Sequence, residues 1–211
     1  MRRGGQSGSK QVFLCIVRLM VCVVCAVCVV YTAFIPIDAL SVPAIAAQDD
    51  TEDNTMFWLT TLKMIRAKFP AVAQLSTDKL QSWLDEPGQS EAGQSQLERP
   101  LLLDVREKDE YEVSHLKGAV SAPSEKEALE ALEGVSQDRS VVLYCSVGYR
   151  SSEMAGLLQT RGFEKVYNLE GSIFAWANEG RPVYRGDERV HEVHPYDRVW
   201  GKLLKKALRS W

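Results

Sequence analysis

The stretch Val141-Val142-Leu143-Tyr144-Cys145-Ser146-Val147-Gly148-Tyr149-Arg150-Ser151 decides the fold of this 211-residue chain. Its first four residues are β-branched, aliphatic and aromatic, the character of a buried strand. The polar, glycine-containing segment after them turns the chain, and a helix is expected from about Ser151 to Thr160 with Gly162 as its stop. A strand that passes straight into a helix is a unit of a parallel α/β sheet, where ligands bind at the carboxyl ends of the strands. Cys145 would stand at that end.

Neighbouring segments extend the pattern. Leu101-Leu102-Leu103-Asp104-Val105 is an apolar run broken by one acid, as in a central parallel strand that ends near a functional edge. Ser124-Glu125-Lys126-Glu127 is a capping box, and Ala128, Leu129, Ala131 and Leu132 continue its helix. A strand over Lys165–Leu169 and a helix over Ser172–Glu179, closed by Gly180, follow. This alternation predicts an α/β domain with a mostly parallel central sheet and helices on both faces. Upstream, Met56 to Phe69 reads as a helix burying Met56, Leu59, Leu62, Ile65 and Phe69. Asp78 to Leu84 is a short helix with Ser76 or Thr77 as N-cap, and Glu86 to Glu98 is a loop.

The two ends differ from the middle. Arg2, Arg3, Lys10 and Arg18 precede the uncharged run Leu19 to Ile37, and Ala44-Ile45-Ala46 has the small-x-small pattern of a peptidase site. Residues 1–47 are therefore expected to be a signal peptide or an uncleaved membrane anchor, with the acidic side at Asp49-Asp50-Thr51-Glu52-Asp53 exported. At the other end Val199, Trp200, Leu203, Leu204, Ala207, Leu208 and Trp211 share one helical face, with Arg198, Lys202, Lys205, Lys206 and Arg209 opposite. That helix would either pack on the domain or lie on an anionic membrane. The formal charge of −3 splits into +3 over residues 1–47 and −6 over residues 48–211, which argues against a general nucleic-acid binder.

Four of the five cysteines, Cys15, Cys22, Cys25 and Cys28, lie in the apolar segment and read as small apolar side chains. Cys145 is then alone in the globular part, a free thiol in an oxidising compartment. Curling from strand to helix, residues 145–150 can aim their backbone N–H groups at one point, and Gly148 supplies the freedom that the tight path needs. Such an amide cradle holds anions and favours the thiolate, the nucleophilic form. Arg150 adds a forked cationic donor suited to oxyanions.

These residues, with Leu102-Leu103-Asp104-Val105-Arg106-Glu107, Ser114-His115-Leu116-Lys117-Gly118-Ala119 and Val166-Tyr167-Asn168-Leu169-Glu170-Gly171-Ser172, resemble the rhodanese family of sulfurtransferases over roughly residues 76–183. The resemblance implies a three-layer rhodanese-like fold. It also implies that Cys145 takes sulfane sulfur from a thiosulfate-type donor as a persulfide and passes it to a thiol or cyanide. By the same resemblance the amides of Ser146, Val147, Gly148, Tyr149 and Arg150 hold the persulfide, and Arg150 orients the anionic donor. Asp104 and Arg106 would support the site, most simply by a salt bridge that braces the loop. His115 would stabilise a turn rather than act as a base, and Gly171-Ser172 replaces the Gly-Gly of many relatives. Cysteine phosphatases place five residues between Cys and Arg; four stand here, which disfavours phosphate hydrolysis. His191 and His194 read as solvated side chains rather than a metal pair.

The expected organisation is a leader or anchor (1–47), a linker and lead-in helix (48–75), the rhodanese domain (76–183) and a basic amphipathic tail (184–211). The expected protein is an exported, monomeric enzyme of the periplasm or another extracytoplasmic compartment, without cofactor or metal. Its partners would be a small-molecule sulfur donor and a thiol acceptor, with membrane contact through residues 12–37 and 197–211 and none with nucleic acid. Alternatives are a non-enzymatic persulfide carrier or sensor, and a catalytically silent interaction module.

Overall fold

The alternation of short apolar runs and capped helices is realised in a computed structural model that describes residues 50–85 and 99–211. The predicted leader and the loop over residues 86–98 lie outside the described residues. In chain order the elements are α1 (Asp50–Lys68), β1 (Ala73–Leu75), α2 (Thr77–Asp85), β2 (Leu101–Asp104), α3 (Lys108–Val113) and β3 (Val120–Ser121). Then come α4 (Glu125–Ala131), β4 (Val141–Tyr144), α5 (Tyr149–Thr160), β5 (Val166–Leu169), α6 (Ser172–Asn178) and the hairpin β6 (Val183–Arg185) with β7 (Glu188–Val190). Strands β1 to β5 form a sheet in the order β1-β5-β4-β2-β3, with every pairing parallel.

Strand β4 lies between β2 and β5, so its residues are covered on both faces. Period-two alternation sends Val142 and Tyr144 to one side and Val141, Leu143 and Cys145 to the other. The first side packs Leu80 of α2 and Ile173 and Phe174 of α6; the second packs Ala128 of α4 and Ala155 and Leu158 of α5. Helices thus cover both faces of the sheet, as the alternation predicts. The cap of α2 is Ser76, whose Oγ accepts the Lys79 N–H at 3.2 Å, and α4 begins with the expected box, Ser124 and Glu127 each bonding the other's backbone N–H.

Two expectations are corrected. Helix α1 exists, but Met56 and Leu59 are exposed, while Ile65 and Thr61 are buried and Phe57 and Trp58 half-buried. Two adjacent aromatics offer more area to the core than Met56 and Leu59, and the buried stripe follows them. Phe57 stacks on Trp200, with centroids 5.7 Å apart.

The tail is not a helix. It makes only two 3-10 turns, Trp200–Leu203 and Lys206–Leu208. Between them Asn178 pins the chain, donating from Nδ2 to the Leu203 carbonyl at 2.7 Å and accepting the Lys205 N–H at 2.8 Å. The backbone of Val193 then donates to Leu208 and accepts from Ser210, pairings that a continuous helix would forbid. Leu203 and Leu204 are buried in the same cluster as the α6 side chains. Asp50 to Trp211 is accordingly one compact unit, with lead-in helix and tail included.

Candidate active site

Cys145 is the first residue beyond β4 and is almost wholly buried, at 1% exposure. Helix α6 holds it in place. The amides of Ile173 and Phe174, which begin that helix and have no partner within it, donate to the carbonyls of Cys145 and Ser146, each at 3.2 Å. Ser172 Oγ accepts the Cys145 N–H at 3.1 Å and donates to the Leu169 carbonyl at 3.1 Å. To do so Ser172 adopts φ of 52°, a left-handed conformation that costs a non-glycine residue free energy. The substitution for glycine therefore brings a hydroxyl to the base of the cysteine loop.

Gly148 takes φ of 114°, so the loop closes in one step and its N–H points at Cys145 Sγ from 3.1 Å. A Cβ here would stand 3.1 Å from Asn168 Nδ2. With Gly148 as N-cap, α5 starts at Tyr149 rather than at Ser151. The expected loop of residues 145–150 is thus a turn over residues 145–148, and Arg150 and Ser151 already lie in the first helical turn. Ser151 Oγ is 2.6 Å from Asn168 Oδ1 and 3.5 Å from Sγ. These two acceptors compete for one hydroxyl proton, and a charged sulfur draws it more strongly. Burial pushes the Cys145 thiol up, but the Arg150 charge and the hydroxyl and amide of Ser151, with the amide of Gly148, outweigh it; the thiol lies below its ordinary value.

The other loop residues have distinct placements. Val147 is buried in the core, and Tyr149 is exposed with its ring edge-on to Phe69, centroids 5.1 Å apart. Arg150 makes a bidentate pair with Glu110 of α3, Nη1 to Oε2 at 2.8 Å and Nη2 to Oε1 at 3.0 Å. Ser146 Oγ donates to Glu110 Oε1 at 3.0 Å and accepts from Arg150 Nη2 at 3.1 Å. The Tyr196 ring, from the tail, lies over the same guanidinium with its centroid 4.7 Å from Cζ. Burial pulls the Arg150 pKa down, but the bonds and charge of Glu110 and the charge of Cys145 raise it overall, so its charge is permanent.

Beneath the loop, Asp104 and Arg106 are both fully buried, and Arg106 donates from Nε to Oδ1 at 2.9 Å and from Nη2 to Oδ2 at 2.6 Å. Arg106 Nη2 also reaches the Ser114 carbonyl at 2.6 Å. The Tyr144 hydroxyl accepts the Leu116 N–H at 3.0 Å. His115 stacks on Tyr111, with centroids 4.0 Å apart, and exchanges backbone bonds with Tyr184. These groups brace the turn at Ser114–Leu116. His191 is exposed, and His194 Nδ1 accepts the Tyr196 N–H at 3.2 Å. Among the described residues no cluster of His, Cys, Asp and Glu could hold a metal.

Glu110, Ser151, Asn168, Ser172 and Tyr196 complete the site beyond the residues expected from sequence. Glu110 had one local signal, its spacing of three from Glu107, which makes a capping box. Nothing in that spacing points to Arg150. Tyr196 had no signal at all.

The thiol of lowered pKa thus stands at the carboxyl end of a central parallel strand of an α/β domain, held there by helix-capping backbone bonds. The family model for the Rhodanese-like domain matches residues 80–179, and this chain carries a rhodanese-like domain over those residues. Residues of this chain are 36% identical over 107 positions to a Mycobacterium tuberculosis protein named "Probable adenylyltransferase/sulfurtransferase MoeZ", covering 49% of this chain and 24% of that protein. They are 30% identical over 137 positions to the tRNA uridine(34) hydroxylase of Escherichia fergusonii, covering 62% of this chain and 39% of that protein. The chain thus spans well under half the length of these curated relatives. A crystal structure of thiosulfate sulfurtransferase from Pseudomonas aeruginosa is similar at 21% identity and a TM-score of 0.49, over 64% of this chain and 24% of that one. A rhodanese-like domain supports sulfurtransferase-type activity in general.

Proposed function

We propose that this protein is a sulfurtransferase in which Cys145 carries sulfane sulfur as a persulfide. The observation that carries the reading is the buried Cys145 thiol, held below its ordinary pKa with the Gly148 N–H 3.1 Å from Sγ. In the first half-reaction the thiolate attacks the outer sulfur of the donor. The Sγ–S bond forms, the donor S–S bond breaks, and the electron pair leaves with the donor; for thiosulfate the leaving group is sulfite. In the second, an acceptor thiolate or cyanide attacks the outer sulfur of the persulfide, and the Cys145 thiolate is restored. No net oxidant or reductant is consumed. The Gly148 N–H points at Sγ from 3.1 Å, and it and the amide of Ser151 favour the charged sulfur, so a persulfide anion on Cys145 would gain from the same donors as the thiolate.

The test is conversion of thiosulfate and cyanide to thiocyanate by the full chain, with Cys145→Ser as control. Turnover abolished by the substitution is expected; equal turnover by the variant sinks the reading. The near-complete burial of Cys145 favours a second reading, a carrier that gives up its sulfur only to a docked partner. A stable gain of about 32 Da on Cys145, one sulfur atom, with negligible turnover would select it. Export belongs to the proposal on the strength of the basic flank and the apolar run over residues 19–37. Among the described residues no helix is long and apolar enough to cross a membrane. The intact mass of protein recovered from its own cells would report a cleaved or retained leader.

A further inference from the structure

We infer that Glu110 and Tyr196 set the charge preference of this site, so that its donor is the persulfide of an organic thiol rather than the thiosulfate dianion. The inference rests on sulfur transfer through Cys145 and narrows its donor. Arg150 is the cation expected to receive an anionic donor, and its fork is already filled. Both terminal nitrogens face the Glu110 carboxylate, at 2.8 and 3.0 Å, and Nη2 also meets Ser146 Oγ. One face of the guanidinium is covered by the Tyr196 ring.

Glu110 is not free to swing away. Its side chain is 2% exposed. Oε1 accepts from Ser146 and Arg150, while Oε2 accepts from Arg150 and from the Glu107 N–H at 3.1 Å. Donors from three residues, Glu107, Ser146 and Arg150, hold this carboxylate, and displacing it would strand a buried charge.

The charge balance follows from these pairings. The Cys145 thiolate and the Glu110 carboxylate outnumber the single guanidinium, so the cluster is net negative. A dianion brought to the thiolate meets like charge from Cys145 and Glu110, both buried, beside an Arg150 that is still in contact with solvent. The protonated form of a hydropersulfide, R–S–SH, brings no charge. The Cys145 thiolate attacks its outer sulfur, the Sγ–S bond forms, the donor S–S bond breaks, and R–S⁻ leaves with the electron pair and takes a proton from water. The proton on the transferred sulfur stays there, giving Cys145–S–SH.

The test compares thiosulfate with N-acetylcysteamine persulfide as donors to the full chain, reading sulfur on Cys145 by intact mass and the kcat/KM for each donor. Glu110→Gln, which keeps the shape and removes the charge, is expected to raise the ratio of kcat/KM for thiosulfate to that for the persulfide on the order of tenfold, whatever common change it makes to both through Arg150 and the thiolate. Added salt should accelerate thiosulfate loading of the natural protein by screening the repulsion, and leave persulfide loading unchanged. Tyr196→Leu, at an exposed position, should shift the donor ratio toward thiosulfate by about two- to threefold. A purely structural role for Glu110 would alter both donors by the same factor, and that result overturns the inference. So does thiosulfate loading that slows as salt rises, an outcome readable even if Glu110→Gln does not fold. If neither donor places sulfur on Cys145, it is the sulfurtransferase reading that fails.

Discussion

The buried pair Asp104–Arg106 gives the sharpest test of how the site is supported. Both side chains are fully excluded from solvent, and the guanidinium donates to Asp104 through Nε and Nη2 and to the Ser114 carbonyl through Nη2. Arg106 Nη1 has no hydrogen-bond partner, so the cation depends on Asp104 for nearly all its compensation. Asp104→Ala would leave that charge unpaired in the core, at a cost of about 3–5 kcal/mol. For a unit of this size each 1 kcal/mol lowers Tm by about 2–4 °C, so a fall of roughly 6–20 °C is expected. Arg106→Met should cost a similar amount, because it strands the carboxylate. The double variant Asp104→Leu/Arg106→Met removes both charges and takes these partners from the Ser114 carbonyl and the Arg106 N–H, a loss of about 1–3 kcal/mol for each. Denaturant unfolding of the full chain, read by circular dichroism, completes the cycle. Single variants costing less than about 1 kcal/mol, the range of an exposed pair, would refute the reasoning. So would a double variant whose cost equals the sum of the singles.

Three further outcomes are expected. The rate of Cys145 alkylation by iodoacetamide should rise with pH to a midpoint below the ordinary thiol value of 9.0, and Arg150→Gln should move that midpoint upward. The sign for stability is that of a depressed acid: the contribution is fully present above 9.0 and is lost as pH falls through the native value, so Cys145→Ser should flatten this part of the stability profile. Leu204→Ala should cost about 2–5 kcal/mol in denaturant unfolding, since the side chain is 1% exposed in the main core; a change near zero would mean that the tail does not pack there. Gly171→Ala should cost about 1–3 kcal/mol from overpacking, because its Cβ would stand 2.7 Å from both Ala175 Cβ and Trp58 Cζ2. A loss below about 0.5 kcal/mol, the range of an ordinary surface change, would contradict that packing.

What could be read from the residues in advance was local. Strand β4 and the box at Ser124–Glu127 announce themselves within a few positions, because period and capping are near-neighbour physics. Helix α1 was legible as a helix but not in its register, since two apolar stripes competed and only the tertiary partner Trp200 favours the one carrying Phe57. The tail was illegible for the same kind of reason: its helical pattern is real, but Asn178 and Val193 claim its backbone groups first. At the site, the loop motif accounts for a thiolate. The groups that tune it come from elsewhere, Ser172 from the start of α6, Glu110 from α3 and Tyr196 from the tail. Each is polar or aromatic, each meets its partner across many positions, and each would pass in isolation for a cap or a surface residue. On the proposed function, the residues of the reaction lie in the contiguous motif, whereas the contacts inferred to set donor choice are ones that only the fold assembles. A homologous loop with a different residue in place of Glu110 should keep the chemistry and change the donor.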